Sequence, residues 1–187
     1  LAFGIYALTQ LRERPRLGTV LFGTALGASF MAGGLGPPLM LLLAWLVLCA
    51  IAPEWRPSGA WASALVAALA AAPWFIAWPS ALWQTAPDVA AQFWHRQFAA
   101  LGGIFGRDSD PFYFVRTLAW CAWPSLPIIL ARLWYERARM LRQSELRMPL
   151  VVFAVFLVVL SITNDTRDGA ALPLLLPLAL IAAASVD

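Results

Sequence analysis

The positions of charged side chains divide the chain into long apolar runs and short polar segments. No Asp, Glu, Arg, Lys or His occurs between residues 17 and 53 or between residues 57 and 87. A bilayer core of ~30 Å takes ~20 helical residues, and each charge at mid-membrane costs about 2.5–3.5 kcal/mol on insertion scales. Each run is long enough for two spans, or for one span and an outer segment. The pattern predicts an integral membrane protein.

The apolar runs predict an all-α fold, a polytopic transmembrane helical bundle of about six spans. We expect the chain to be a fragment of a larger membrane protein, because Leu1–Thr9 is too short to span and the final Asp187 follows an apolar run directly. A complete small membrane protein is the alternative. The predicted spans are Gly18–Ala32, Leu39–Ile51, Trp61–Trp78, Phe112–Leu133, Met148–Thr163 and Ala170–Val186.

Glycine and proline predict where the spans pack and break. Gly23 and Gly27 form a small-xxx-small face suited to close helix packing. The Gly33–Pro38 segment holds three Gly and two Pro, which predicts a helical hairpin because no helix runs unbroken through them. We further expect a short basic loop over Leu11–Leu17. Four further prolines are expected to kink, end or interrupt the spans that contain them: Pro73, Pro79, Pro173 and Pro177.

We treat residues 1–187 as a single transmembrane region in which 80–111 is an extracytoplasmic loop. Within this loop, apolar residues recur at three- and four-residue steps over Asp88–Leu101. That spacing predicts an interfacial amphipathic helix. The single histidine, His95, falls on its polar side.

The arginines predict the orientation. The charge totals are 13 basic and 10 acidic residues, and every basic residue is Arg. With alternating loops, nine fall on one side and four on the other, so the positive-inside rule places the nine in the cytoplasm. The outer side then holds the 80–111 loop, the Gly33–Pro38 turn and Asn164–Gly169. The nine are Arg12, Arg14, Arg16, Arg56, Arg132, Arg137, Arg139, Arg142 and Arg147; the four are Arg96, Arg107, Arg116 and Arg167.

Composition and spacing exclude several classes of protein. A net charge of +3, scattered along the chain, lacks the basic face of a nucleic-acid binder. Cys49 and Cys121 lack the paired spacing of a metal site and are interpreted as unpaired thiols in apolar runs. Trp is frequent, with 10 residues, and many bracket the apolar runs as an interfacial belt does.

The remaining chemistry lies on the predicted outer side. Arg116 and Arg167 adjoin apolar spans, where an arginine needs an anionic partner or a wet cavity, and a lipid phosphate is such a partner. The alternative is that Arg116 reaches the headgroups and Arg167 pairs with its Asp neighbours. His95 alone makes a poor metal site. Three carboxylates are candidate ligands of a divalent cation, and the alternative is that they belong to a solvated loop: Asp88, Asp108 and Asp110.

Four stretches, in this order, resemble the later transmembrane region of bacterial GT-C class glycosyltransferases, the group related to protein O-mannosyltransferases and lipid A aminoarabinose transferases. They are the Gly-rich span Gly23–Gly34, the segment from Trp74 to Pro79 with the outer loop, Asp110–Phe114 with Trp123-Pro124, and Ser161–Pro177. The family carries Lys where this chain has Gly33 and Thr166, and Tyr where it has Ala170. Arg167 matches.

The resemblance implies an inner-membrane, multi-pass bacterial enzyme that moves a sugar from a polyprenyl-phosphate carrier to an extracytoplasmic acceptor. It implies membrane lipid and a lipid-linked sugar as partners, and a catalytic Asp upstream of Leu1. The cations expected near the carrier phosphate are Arg167, Arg116, Arg96 and Arg107. A transporter or flippase-like protein, which broken helices also suit, and a non-catalytic scaffold of the same family are the alternatives.

Overall fold

The computed structural model describes residues 1–56, 59–102, 116, 144–162 and 172–184. Every regular element in these ranges is a helix, so the predicted all-α class is confirmed. The chain divides into two compact units, Leu1–Ala99 and Ala100–Asp187, and each is described by itself below.

The first unit is built from helices that alternate in direction. Helices α1 and α3 pack on α2, and α4 packs on the same helix. Because α2 leads into α3 through two residues, these two run antiparallel, whereas α4 runs parallel to α2. The bounds are α1 Ala2–Glu13, α2 Pro15–Gly33, α3 Gly36–Ile51, a 3₁₀ turn at Pro53–Trp55, α4 Ala60–Thr85 and α5 Pro87–Gly102.

Two glycines bring α2 and α4 close together. A Cβ added to Gly23 would meet the carbonyl oxygen of Ala67, and one added to Gly27 would meet the side chain of Trp74. The close approach predicted for this glycine face is therefore present, and the partner is α4. The order of these contacts along both helices establishes that they are parallel.

The break over the Gly33–Pro38 segment is confirmed. Helix α2 ends at Gly33 and α3 begins at Gly36. Gly34 between them has a φ of +74°, a left-handed value that glycine adopts without the steric cost of a Cβ. Pro lies within the first turn of α3, where its missing N–H would have had no helical partner.

The basic loop predicted over Leu11–Leu17 is wrong. Helix α1 continues to Glu13 and α2 begins at Pro15, so only Arg14 is non-helical. Arginine is a good helix former, and Pro at the first position of a helix has its φ already set. The amide of Gly18 donates to the carbonyl of Arg14 at 2.8 Å, which closes the first turn of α2.

Helix α4 continues through both of its prolines. It runs to Thr85, so residues 80–85, assigned from sequence to the outer loop, belong to this helix. An interior Pro costs ~3 kcal/mol or more, but aromatic contacts pack α4 against its neighbours between Pro73 and Pro79. Phe75 stacks on Phe30 at 4.3 Å between ring centroids, and Trp78 meets Phe93 at 4.9 Å.

The described part of the second unit contains two helices that pack together. Helices α6 (Ser144–Ile162) and α7 (Leu172–Ala184) overlap the ranges predicted for the fifth and sixth spans. Leu178 and Ile181 of α7 pack against Leu150 and Phe153 of α6. The last helix is not interrupted by its prolines, because Pro173 lies in its first turn and the buried Pro177 is accommodated inside it.

One described helix, Trp61–Thr85, is long and apolar enough to cross a membrane, and only 11% of its apolar window is buried. Three shorter apolar helices accompany it in the described ranges: Gly36–Ile51, Leu146–Ser161 and Leu172–Ala183.

Candidate functional site

Helix α5 is fastened to the turn between α2 and α3. The amide N–H of Leu35 donates to Oε1 of Gln97 over 2.9 Å, although the two residues lie far apart in sequence. Gly34 lies directly against the same side-chain amide. Because the N–H groups that begin a helix have no intrahelical acceptor, Gln97 supplies one to α3. This hydrogen bond fixes where α5 crosses the end of the bundle.

An aromatic cluster forms where α5 packs against α2 and α4. Phe30 of α2 is fully buried and meets rings from both α4 and α5. Such tilted, stacked and edge contacts are worth about 0.5–1.5 kcal/mol each beyond the area they bury. The cluster consists of Phe30, Phe75, Trp78, Phe93, Trp94 and Phe98.

The helix presents polar groups on its opposite side. Ala90, Phe93 and Gln97 point inward at helical spacing, while His95 and Arg96 are exposed. The bounds predicted for this helix, Asp88–Leu101, differ from the observed bounds, Pro87–Gly102, by one residue at each end. The amphipathic helix itself is therefore confirmed. On its apolar face, Phe93 contacts Phe30 of α2 and Trp78 of α4, whereas Val89 and Phe98 are exposed.

The edge of the aromatic cluster reaches the surface next to these polar groups. Phe98 is 61% exposed and stacks on Trp94 at 5.9 Å between centroids. Arg96 and Gln97 lie between these two rings in sequence. A guanidinium, an imidazole and a partly open aromatic ring thus share one short helix. This combination can bind an anionic group through Arg96 and an apolar surface through the ring.

A second feature of the same unit is an apolar groove. Helix α2 forms its floor, and α3 and α4 form its sides. It holds two cavities of about 180 and 130 Å³ that share Leu26 and Leu42 in their walls. Thr19, a polar residue of the larger cavity, already donates its hydroxyl to the carbonyl of Pro15 at 2.7 Å. The groove therefore suits an apolar occupant.

The groove runs from the α5 end, where Leu35 and Phe75 line it, toward the opposite end of the unit, where Leu11 and Ser63 line it. The end opposite α5 gathers the C-termini of α1 and α3 and the N-termini of α2 and α4. It carries four arginines and two glutamates: Arg12, Arg14, Arg16, Arg56, Glu13 and Glu54. Arg56 is held in place because its Nε donates to the carbonyl of Cys49 at 2.8 Å. The thiol of Cys49 donates to the carbonyl of Trp55 at 3.2 Å.

Of the four cations predicted for the carrier phosphate, the structure describes two, and they belong to different units. Arg96 is exposed on α5 of the first unit, and Arg116 is an exposed, helical residue of the second. Arg107 and Arg167 lie outside the described residues, as do Asp108, Asp110 and Cys121. No group of three His, Cys, Asp or Glu side chains suited to a metal ion occurs in the part of the chain that the structure describes.

Sequence reasoning missed Gln97 and Phe30. Gln97 was missed because its hydrogen bond to a distant backbone N–H produces no local sequence pattern. Phe30 was missed because its position in the Gly-rich segment does not distinguish it from the other apolar residues there. No protein-family model, curated protein or solved structure matches the chain. Its function is therefore inferred from the site and from the sequence motifs.

Proposed function

We propose that the chain is the transmembrane part of a bacterial GT-C-like glycosyltransferase of the inner membrane. In this proposal it belongs to a longer chain, forms a bundle of about six spans, and serves transfer of a sugar from a polyprenyl-phosphate carrier to an extracytoplasmic acceptor. The observation that carries the proposal is the α5 site, where Arg96 and His95 lie beside an open aromatic edge at one end of an apolar bundle.

The surface of α4 supports a membrane setting. A core helix of a soluble protein is mostly buried, whereas Leu65, Leu69 and Ile76 are each more than 60% exposed. Apolar side chains on that face cost little only where lipid replaces water. At 1.5 Å per residue, the 26 residues of α4 extend ~39 Å, which is about two turns more than the ~30 Å core requires. The excess fits a helix that carries α5 at the membrane surface.

The reaction proposed for the α5 end of the unit requires a general base and cations. In glycosyl transfer from a lipid phosphate, the acceptor oxygen bonds to the anomeric carbon as the bond from that carbon to the phosphate oxygen breaks. A carboxylate acting as general base takes the acceptor proton, and cations stabilise the phosphate that leaves. In the proposal Arg96 and Arg167 supply cations, with Arg116 and Arg107 as helpers. The base is assigned to the region before Leu1.

The test is transfer of a labelled sugar from its polyprenyl phosphate by the full-length protein in membranes, normalised to folded protein. Charge-assisted bonds are worth about 1.5–3 kcal/mol, so Arg167→Ala should lower turnover ~10–150-fold. Arg96→Ala should lower it in the same direction. Arg167→Lys should recover only part, because it keeps the charge and loses the bidentate fork.

Arg12→Ala is the matched control, since Arg12 is an exposed arginine at the opposite end of the unit. It should leave turnover unchanged. Full activity in both Arg167→Ala and Arg96→Ala would show that these arginines do not bind the carrier phosphate. The transporter or scaffold alternative, to which the apolar groove is equally suited, would then be preferred.

A further inference from the structure

The residues that line the groove form a regular stripe on each helix. On α2 they are Thr19, Phe22 and Leu26, and on α3 Leu42 and Trp45. Spacings of three and four residues place side chains on one face of a helix. The groove can therefore be followed along each stripe toward the end that carries the arginines.

Each of these two stripes leads to an arginine. On α2, Arg16 comes three residues before Thr19 and occupies the next position of the stripe. On α3, Cys49 comes four residues after Trp45, and its carbonyl accepts the hydrogen bond from Nε of Arg56 at 2.8 Å. Both arginines are exposed. Extended beyond the residues that line the groove, the two stripes thus lead to Arg16 and Arg56.

We propose that this groove binds an anionic phospholipid. One acyl chain lies between α3 and α4, and the headgroup phosphate lies at Arg16 and Arg56. This is a second lipid site, beyond the carrier site proposed at α5, and its headgroup lies at the opposite end of the unit. It rests on the membrane setting of α4 and is independent of sugar transfer.

The length of the groove favours a phospholipid over a polyprenyl carrier. Ser63 and Phe75 line its two ends on α4, and their separation of 12 residues corresponds to ~18 Å. Half of the ~30 Å hydrocarbon core is ~15 Å. The groove thus matches one leaflet, which is the depth of one acyl chain. A chain long enough to need both leaflets would extend beyond it.

The charge at this end favours an anionic headgroup. Four arginines against two glutamates leave an excess of two positive charges. Nε of Arg56 donates to the carbonyl of Cys49, which orients the guanidinium. Guanidinium nitrogens bind phosphate oxygens in pairs. The positive-inside rule assigns this end to the cytoplasm, where anionic lipids give the leaflet a negative surface potential.

The test measures lipid retention by native mass spectrometry. The full-length protein, purified in an uncharged detergent and delipidated, is titrated with phosphatidylglycerol or phosphatidylcholine of identical acyl chains. We expect about tenfold tighter binding of phosphatidylglycerol. The double variant Arg16→Gln/Arg56→Gln should bind both lipids equally, whereas the control Arg12→Gln/Arg14→Gln should keep the preference.

A second pair of variants tests the groove. Ala64 and Ala68 line it and are exposed, so Ala64→Phe and Ala68→Phe fill it with little disturbance to the core. Each should abolish retention of both lipids, while the control Ala62→Phe, outside the groove, should not. All variants should keep the unfolding temperature of the delipidated parent within a few degrees.

Several results would overturn the proposal. Equal retention of the two lipids by the parent protein removes the headgroup site, and full retention in both groove variants removes the acyl site. A parent dimer that the groove variants dissociate identifies a second copy as the occupant. Displacement of phosphatidylglycerol by polyprenyl phosphate at equal affinity identifies the carrier. None of these results bears on the transfer assay of Arg96 and Arg167, so the two proposals fail separately.

Discussion

At the scale of single residues, Gln97 decides where the charged face of α5 is presented. Its side-chain oxygen accepts the amide proton of Leu35, and its amide fills the space beside Gly34. The neighbouring His95 and Arg96 are exposed. The cation proposed to bind phosphate is therefore positioned by the neutral residue next to it.

Replacing this amide tests the attachment. Gln97→Met keeps the length of the side chain and removes the acceptor, so the N–H of Leu35 loses its partner. A neutral hydrogen bond is worth about 0.5–1.5 kcal/mol net, which corresponds to ~2–12-fold in an opening equilibrium. Amide hydrogen exchange of the segment 34–38 and of α5 should rise by that factor. Gln92→Met, an exposed change on the same helix, is the control. Equal exchange in the two variants would contradict the assigned role of Gln97.

The sequence predicted the residues of this site unevenly. Charge and spacing were enough to place His95 and Arg96 on the polar side of an amphipathic helix, because amphipathicity is a local property. Gln97 was missed because its partner lies 62 positions away. The same limit applies to Phe30, whose aromatic partners belong to two other helices.

At the scale of helices, α2 and α4 meet through glycine. A Cβ at Gly23 would lie 2.8 Å from Cβ of Ala70 and would also meet the backbone of Ala67. Backbone atoms move only with their helix, so the space cannot be made by turning a side chain. The helix pair that carries both the groove and the aromatic cluster therefore depends on this small residue.

Gly23→Ala should lower the free energy of unfolding by about 1–3 kcal/mol, the usual cost of overpacking a tight contact. Gly36→Ala is the matched control, because a Cβ at Gly36 meets nothing within 4 Å. There the change should be neutral or stabilising by up to about 1 kcal/mol. Thermal unfolding of the detergent-solubilised protein compares the two. A parental melting temperature for Gly23→Ala would show that α2 and α4 are not in close contact.

Helix boundaries were predictable where the backbone itself sets them. Three Gly and two Pro predicted a break over Gly33–Pro38, although α3 begins earlier than expected, at Gly36. The period of apolar residues defined α5 to within one residue at each end. The prediction failed where packing overrides a local preference. Pro79 and Pro177 lie inside helices held by tertiary contacts, and Arg12 and Arg16 are helical because a single residue between the two helices, Arg14, makes the turn.

At the scale of the whole molecule, the first unit has two chemically different ends. One end has the arginines, and the other has α5 with its aromatic cluster. Between them, the apolar faces of α3 and α4 are exposed. Such a distribution is what a bilayer requires, since apolar surface lies at mid-depth, aromatic rings lie near one interface and most positive charges lie near the other.

Accessibility of single cysteines to an impermeant maleimide in intact cells tests this orientation. In the full-length protein with Cys49 and Cys121 replaced, a cysteine at Gln92 should label from outside and one at Arg14 only after the membrane is opened, because the arginine excess of nine to four predicts a cytoplasmic Arg14. Two further positions extend the test to the rest of the predicted bundle: Asp168 should label from outside, and Gln143 should not. Gln92 and Arg14 are both exposed in the folded unit, so failure to label reflects the membrane and not burial. Labelling of both from the same side would contradict a membrane-spanning first unit, whereas reversed labelling would keep the span and overturn the orientation.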